Sequence, residues 1–129
     1  MPTPAPTFDS CSKMELRALA DRLHEPDAAA VEQCVAFLEA TTLRIWHGRA
    51  RAMMARRLKH CPLTAGQRDR LLRVILLRLI SGRFAEQFKD QLRLALHLDA
   101  AKVFAVARQC ENAEQEYVRR YAAWLLAHQ

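Results

Sequence analysis

Glycine is scarce, with 3 in 129 residues, and β-branched residues are few. Nowhere does apolar/polar alternation persist at the period of a strand. These shortages argue against a sheet-rich fold and leave no glycine-rich phosphate cradle. No Cys-x-x-Cys occurs. Cys11, Cys34, Cys61 and Cys110 stand far apart, which excludes a zinc ribbon and a thioredoxin-like motif. Neither H-x-x-x-H nor H-E-x-x-H is present. His60 and Cys61 are adjacent, so on a helix they point about 100° apart and cannot easily share one tetrahedral ion. No Ser or Cys carries the local signature of a nucleophile, and no apolar run approaches the roughly 20 residues of a membrane span. The expectation is therefore a non-enzymatic protein with no metal, no cofactor and no membrane span.

The N-terminus lacks the basic and apolar regions of a secretory signal. Pro2, Pro4 and Pro6 favour an extended, flexible tail over residues 1–8, leaving residues 9–129 as a single domain. The four cysteines read as reduced thiols, which places the chain in the cytoplasm. Cys34 sits among Val31, Val35 and Leu38 at helical spacing and reads as core packing.

What the chain does contain is 51% hydrophobic residues, rich in Ala and Leu, with Arg, Glu and Gln between them. That composition points to an all-α protein of about six or seven helices. Ser12 and Glu15 make an S-x-x-E capping box for a first helix with Leu16, Leu19, Ala20 and Leu23 on one face, and Pro26 ends it. Asp27 caps a second helix that buries Val31, Cys34, Val35 and Leu38. Thr41-Thr42 leaves two arrangements open, a turn or one long helix to about His60, with the break favoured. Pro62 and Gly66 mark a loop. Residues 67–81 are apolar around most of the circumference, the mark of a central helix. After Ser81-Gly82, the residues Phe84, Ala85, Phe88, Leu92, Ala95 and Leu96 restart a stripe. Asp99 caps a short helix with Val103, Phe104, Val106 and Ala107, and Asn112 with Gln115 offers a further box before the last helix. The spans pair as 28–42 with 43–60, 67–81 with 83–97, and 100–110 with 113–128. Stacked helical hairpins or an irregular helical bundle follow.

Val118, Arg119, Ala122 and Leu125 resemble the V-R-x-x-A-x-x-L pattern in the second helix of HEAT-type repeats. The match lies within residues 113–127, while residues 88–96 and 49–58 match poorly. The resemblance implies a scaffold that binds protein or nucleic acid. Residues 96–103 resemble the L-G-L-S-x-x-x-V turn of helix-turn-helix motifs, with His97 in place of Gly and Arg93 where a small residue packs. The helix after that turn carries only Lys102 and Arg108 beside apolar Val103, Phe104 and Val106, too little to read base edges.

Acid is almost missing from one stretch. Residues 44–83 hold eleven of the 20 Lys and Arg residues but only one of the 14 acids, Asp69. Ten of the eleven are Arg: Arg44, Arg49, Arg51, Arg56, Arg57, Arg68, Arg70, Arg73, Arg78 and Arg83, with Lys59. Arg49, Arg56 and Lys59 with His60 form a candidate ridge for an acidic partner. The competing reading pairs this charge with Glu32, Glu39, Glu86 or Asp90 elsewhere in the fold. Trp46 and Trp124 are candidate aromatic anchors if exposed and core-edge residues otherwise. The function expected is an interaction or adaptor domain that binds an acidic protein surface through Arg49, Arg56, Arg57 and Lys59. The alternatives are nucleic-acid binding without sequence reading, and a small-ligand or enzymatic pocket between helices. Self-association through an exposed apolar stripe is a further option.

Overall fold

The computed structural model describes residues 8–42, 45–84 and 87–129. Among them there are six α-helices and no strand: α1 (Lys13–Asp21), α2 (Ala28–Glu39), α3 (Ile45–Leu58), α4 (Ala65–Ser81), α5 (Lys89–Gln109) and α6 (Glu116–Leu126). Single 3₁₀ turns cover Phe8–Ser10 and Arg22–His24. No described helix is long and apolar enough to cross a membrane. Of the segment expected to be a tail, residues 1–7 lie outside the described residues. Phe8 belongs to the folded part, with its ring edge-on to Phe37 at 5.2 Å.

The helix starts follow local chemistry. The Ser12 Oγ accepts from the Glu15 N–H at 3.1 Å and the Glu15 carboxylate accepts from the Ser12 N–H at 3.2 Å, closing the expected box. Leu16 and Ala20 of α1 and Leu23 of the following turn are buried. Asp27 accepts from the Ala30 N–H at 2.7 Å and from Arg22 at 3.1 Å, which anchors α2. α2 ends at Glu39 and α3 begins at Ile45, so the Thr41-Thr42 break is present.

Three expectations are corrected. Gly66 lies inside α4, whose N-cap is Thr64. The Thr64 Oγ1 and the Gln67 side chain exchange hydrogen bonds with each other's N–H groups at 3.1 and 3.0 Å, a T-x-x-Q box that outweighs the breaking tendency of Pro62 and Gly66. Among the described residues, Arg83, Phe84, Gln87 and Phe88 are not helical, although a helix is expected from 83. α5 starts at Lys89, although Phe84 and Phe88 still stack at 4.2 Å; Ala85 and Glu86 lie outside the described residues. Gln115, not Asn112, is the N-cap of α6, and its side chain makes no capping bond. The Asp99 cap is present: the residue is extended at φ −161°, its carboxylate accepts from the Lys102 N–H at 3.1 Å, and α5 is bent there into two segments.

The expected pairs are in contact: α2 with α3, α4 with α5, and α5 with α6. Helices two apart also touch: α1 with α3, α3 with α5, α2 with α4 and α4 with α6. This arrangement is consistent with a helical repeat or a bundle. The apolar α4 is not the central helix. Its Leu77 is 58% exposed and Ile80 50% exposed. α3 takes the interior place. Its Ala50, Ala52 and Ala55 are small, so α1, α2 and α5 approach closely, with Met54 and Leu58 filling the gaps.

α4 closes on Gly82, whose φ of +71° is left-handed. A Cβ there would come within 2.6 Å of the Gln115 side chain and 2.9 Å of the Tyr117 hydroxyl. Gly82→Ala is expected to cost about 1–2 kcal/mol from the backbone alone, and Thr64→Ala about 1 kcal/mol from the lost cap; urea unfolding checks both. Acid adds a second test. The Ala30 N–H, then Arg22, hold the Asp27 carboxyl below its usual range, and Arg70 does the same for Glu32. Depressed carboxyls stabilise the fold above the unfolded values near pH 4, and that stabilisation is lost as pH falls through the folded values. Thermal midpoints should drop on acidification below about pH 4, and less steeply in Asp27→Ala and Glu32→Gln.

Candidate functional site: a cationic and aromatic face on α3, α5 and α6

Two arginines of the basic segment are used inside the fold. Arg51 is buried and donates to the Ala40 carbonyl at 3.0 Å and to the Thr42 hydroxyl, with its guanidinium 5.1 Å from the Phe37 ring centre. Arg78, half-buried, donates to the same Ala40 carbonyl at 3.2 Å and to the Gln91 side chain at 2.9 Å. Burial pulls its proton affinity down, partly opposed by Glu39. Both guanidiniums sit at the C-terminus of α2, where unpaired carbonyls and the helix dipole favour cations.

Others are neutralised on the surface. Arg70 grips both Glu32 oxygens at 2.7 and 2.9 Å and donates its Nε to Glu39 at 2.9 Å. Arg57 pairs with Asp21 at 3.0 Å, and Arg68 donates to the Leu98 carbonyl at 3.0 Å. Glu32, Glu39 and Asp90 thus take the role the competing reading gave them. Arg44 and Glu86 lie outside the described residues. Arg49, Lys59, Arg73 and Arg83 have no ion-pair partner among the described residues.

The four expected contact residues therefore separate. Arg49 and Arg56 are exposed, as a step of seven residues requires on one helix face, and His60 is exposed in the turn that follows α3. Arg57 turns towards α1, and Lys59 is half-buried. Arg56 leans the other way, onto α5, where it meets Asp90 at 3.0 Å. Asp90 is also held by Arg93 at 3.2 Å, and its side chain is only 15% exposed.

Arg93 leads to a cleft. Its guanidinium and the Lys89 ammonium each lie 5.3 Å from the Trp124 ring centre. The cleft encloses about 510 Å³ and is lined by Gly82, Phe84, Lys89, Tyr117, Arg120, Tyr121 and Trp124. Phe84 meets Tyr117 and Tyr121 edge-on at 5.5 and 5.2 Å, and the Tyr117 hydroxyl donates to the Gly82 carbonyl at 3.0 Å. Among the described residues Arg120 pairs only with exposed Glu116, one turn earlier. Trp124 is thus a half-buried residue with a face open to cations, on the wall of a cavity. Trp46 lies at the core edge, its Nε1 donating to the Cys11 carbonyl at 3.3 Å beside buried His47.

Local pattern gives Lys89 and Arg93 no place in a site. Their spacing of four residues did hold the signal, since it places both cations over one neighbouring side chain. The partner, Trp124, lies too far along the chain for any local pattern to reveal it.

The thiols offer no comparable site. Cys34 is buried and its pKa is pushed up to about 12 by desolvation. Burial raises Cys61 and Cys110 as well, and Cys11 is raised by burial and by Glu15. Thiols of this kind are poor nucleophiles. Among the described residues no three His, Cys, Asp or Glu side chains come together to hold an ion. Comparisons with protein-family models, curated proteins and solved structures return no match.

The division of arginines into structural and open ones predicts unequal costs. Arg78→Ala removes hydrogen bonds from the half-buried Ala40 carbonyl and the buried Gln91 side chain and should cost about 2–3 kcal/mol, whereas exposed Arg73→Ala should stay within about 0.5 kcal/mol. Urea unfolding of the two variants measures the difference.

Proposed function

We propose that this chain is a non-enzymatic helical interaction domain that binds an acidic partner protein through the face built by α3, α5 and α6. The observation that carries this reading is Asp90 held between Arg56 and Arg93. One carboxylate shared by two guanidiniums leaves an excess cation. It also joins the Arg49–Arg56 ridge to Lys89, Arg93 and Trp124 as one surface. The two guanidiniums remain 59% and 49% exposed around the largely covered Asp90, so each keeps N–H donors open to an incoming carboxylate. The contacts between helices two apart support a stacked-hairpin, HEAT-like arrangement, in keeping with a scaffold role. Four free cysteines, in a fold held together without a disulfide among them, support a reducing compartment such as the cytoplasm.

Charge spacing favours protein over nucleic acid. The cations alternate with Asp90 and Glu116, an arrangement that suits separate carboxylates and opposes an unbroken run of phosphates. Labelled polyglutamate should bind at low ionic strength with an affinity that falls as salt rises. Reversing Arg49, Arg56 and Arg93 to Glu should weaken it about tenfold or more. Reversing exposed Arg73, Lys102 and Arg108 provides a charge-matched control that should change it much less. No binding of polyglutamate, or equal losses in the two triple variants, overturns the proposal. Tighter binding to a single-stranded oligonucleotide, with a steep salt slope removed by the first variant, establishes the nucleic-acid reading in its place.

A further inference from the structure

The aromatic cleft adds a chemistry that the charged ridge lacks. Among the described residues its lining holds four aromatic rings, two cations, Lys89 and Arg120, and no acid. Lys89 has no ion pair among the described residues, and Arg120 is held only by a side chain as exposed as itself. At about 510 Å³ the cleft falls within the roughly 300–1,000 Å³ typical of pockets that take a compact apolar group.

We infer that the cleft receives an aromatic side chain of the acidic partner, presented on an extended segment with carboxylates on either side of the ring. The inference rests on the acidic-partner reading and specifies what that partner presents. The occupant's ring would meet the exposed edges and faces of Phe84, Tyr117, Tyr121 and Trp124, the arrangement aromatic groups prefer. Flanking carboxylates would meet Lys89 and Arg120 at the rim, and further acids would reach Arg93, Arg56 and Arg49. An aliphatic side chain would gain burial but not the edge-to-face contacts. A bare acidic surface would leave the cleft unfilled.

A set of fluorescein-labelled acidic peptides, identical except for a central Phe, Trp, Leu or Ala, tests this on the intact chain by anisotropy. Phe and Trp peptides should bind about tenfold or more tightly than the Ala peptide, the scale set by burying one ring. Trp124→Ala should remove that advantage while leaving affinity for the Ala peptide in place. Lys89→Glu reverses an exposed rim cation, and it should weaken all four peptides together. Circular dichroism establishes that each variant is folded. Equal binding of all four peptides overturns the cleft assignment and leaves the acidic-partner reading standing. Failure of every acidic peptide to bind removes both. A short thymidine oligomer that binds as tightly as the Phe peptide, and depends equally on Trp124, overturns the assignment in favour of base stacking.

Discussion

The carbonyl of Ala40, at the end of α2, is where the packing of this protein converges. A helix C-terminus presents carbonyls with no intrahelical donor, and burying them unpaired is costly. Here Arg51 from α3 and Arg78 from α4 both donate to Ala40, and Arg78 also reaches Gln91 on α5. One backbone oxygen thus brings side chains from three following helices into a common register. Each charged hydrogen bond contributes roughly 1.5–3 kcal/mol. Arginine suits this place because its planar fork serves two acceptors at once and stays protonated when buried. Phe37 under the Arg51 guanidinium, with His47 and Phe8 against its edges, completes the packing at the junction.

That use of arginine changes the meaning of the charge. A segment with eleven cations and one acid looks like a surface made for a polyanion. Folding spends it in three ways. Arg51 and Arg78 serve the buried end of α2. Arg57 and Arg70 tie α3 and α4 to carboxylates of α1 and α2. Arg56 crosses to Asp90 and is there coupled to Arg93, outside the segment altogether. Of the charge that stays open, Arg73 stands exposed on α4, while Arg49 lies on the same face of α3 as Arg56, which Asp90 links to Arg93 of α5.

Local chemistry made much of the fold legible. The Ser12–Glu15 box, the Asp27 and Asp99 caps and the break after α2 all follow from residues within four positions of one another. Pattern reading misjudged places where a distant contact competes. Asn112 with Gln115 has the spacing of a box, yet the chain enters α6 at Gln115, the neighbour of Gly82, and Tyr117 bonds back to the end of α4. Phe84 and Phe88 carry helical spacing, but their rings stack over each other and face α6, and the helix starts only at Lys89. The Thr64–Gln67 box was available to local reading, and the nearby Pro and Gly obscured it.

Of the candidate site, the ridge of Arg49 and Arg56 was visible as a step of seven residues, and Trp124 as an aromatic beside a last-helix stripe. Their union was not visible, because it depends on Asp90 and Arg93 lying between them in space. Composition, caps and 3.6-residue periodicity settle the all-α class, the starts of α1 and α2 and the Asp99 cap within α5, since those depend on neighbours along the chain. Which helix is enclosed, which arginines are consumed, and where rings and cations meet are decided by contacts between different helices. Such contacts obey the geometry of packing, and α4 shows the difference: it is the most apolar stretch, yet Leu77 and Ile80 stay exposed because no neighbouring helix covers that side.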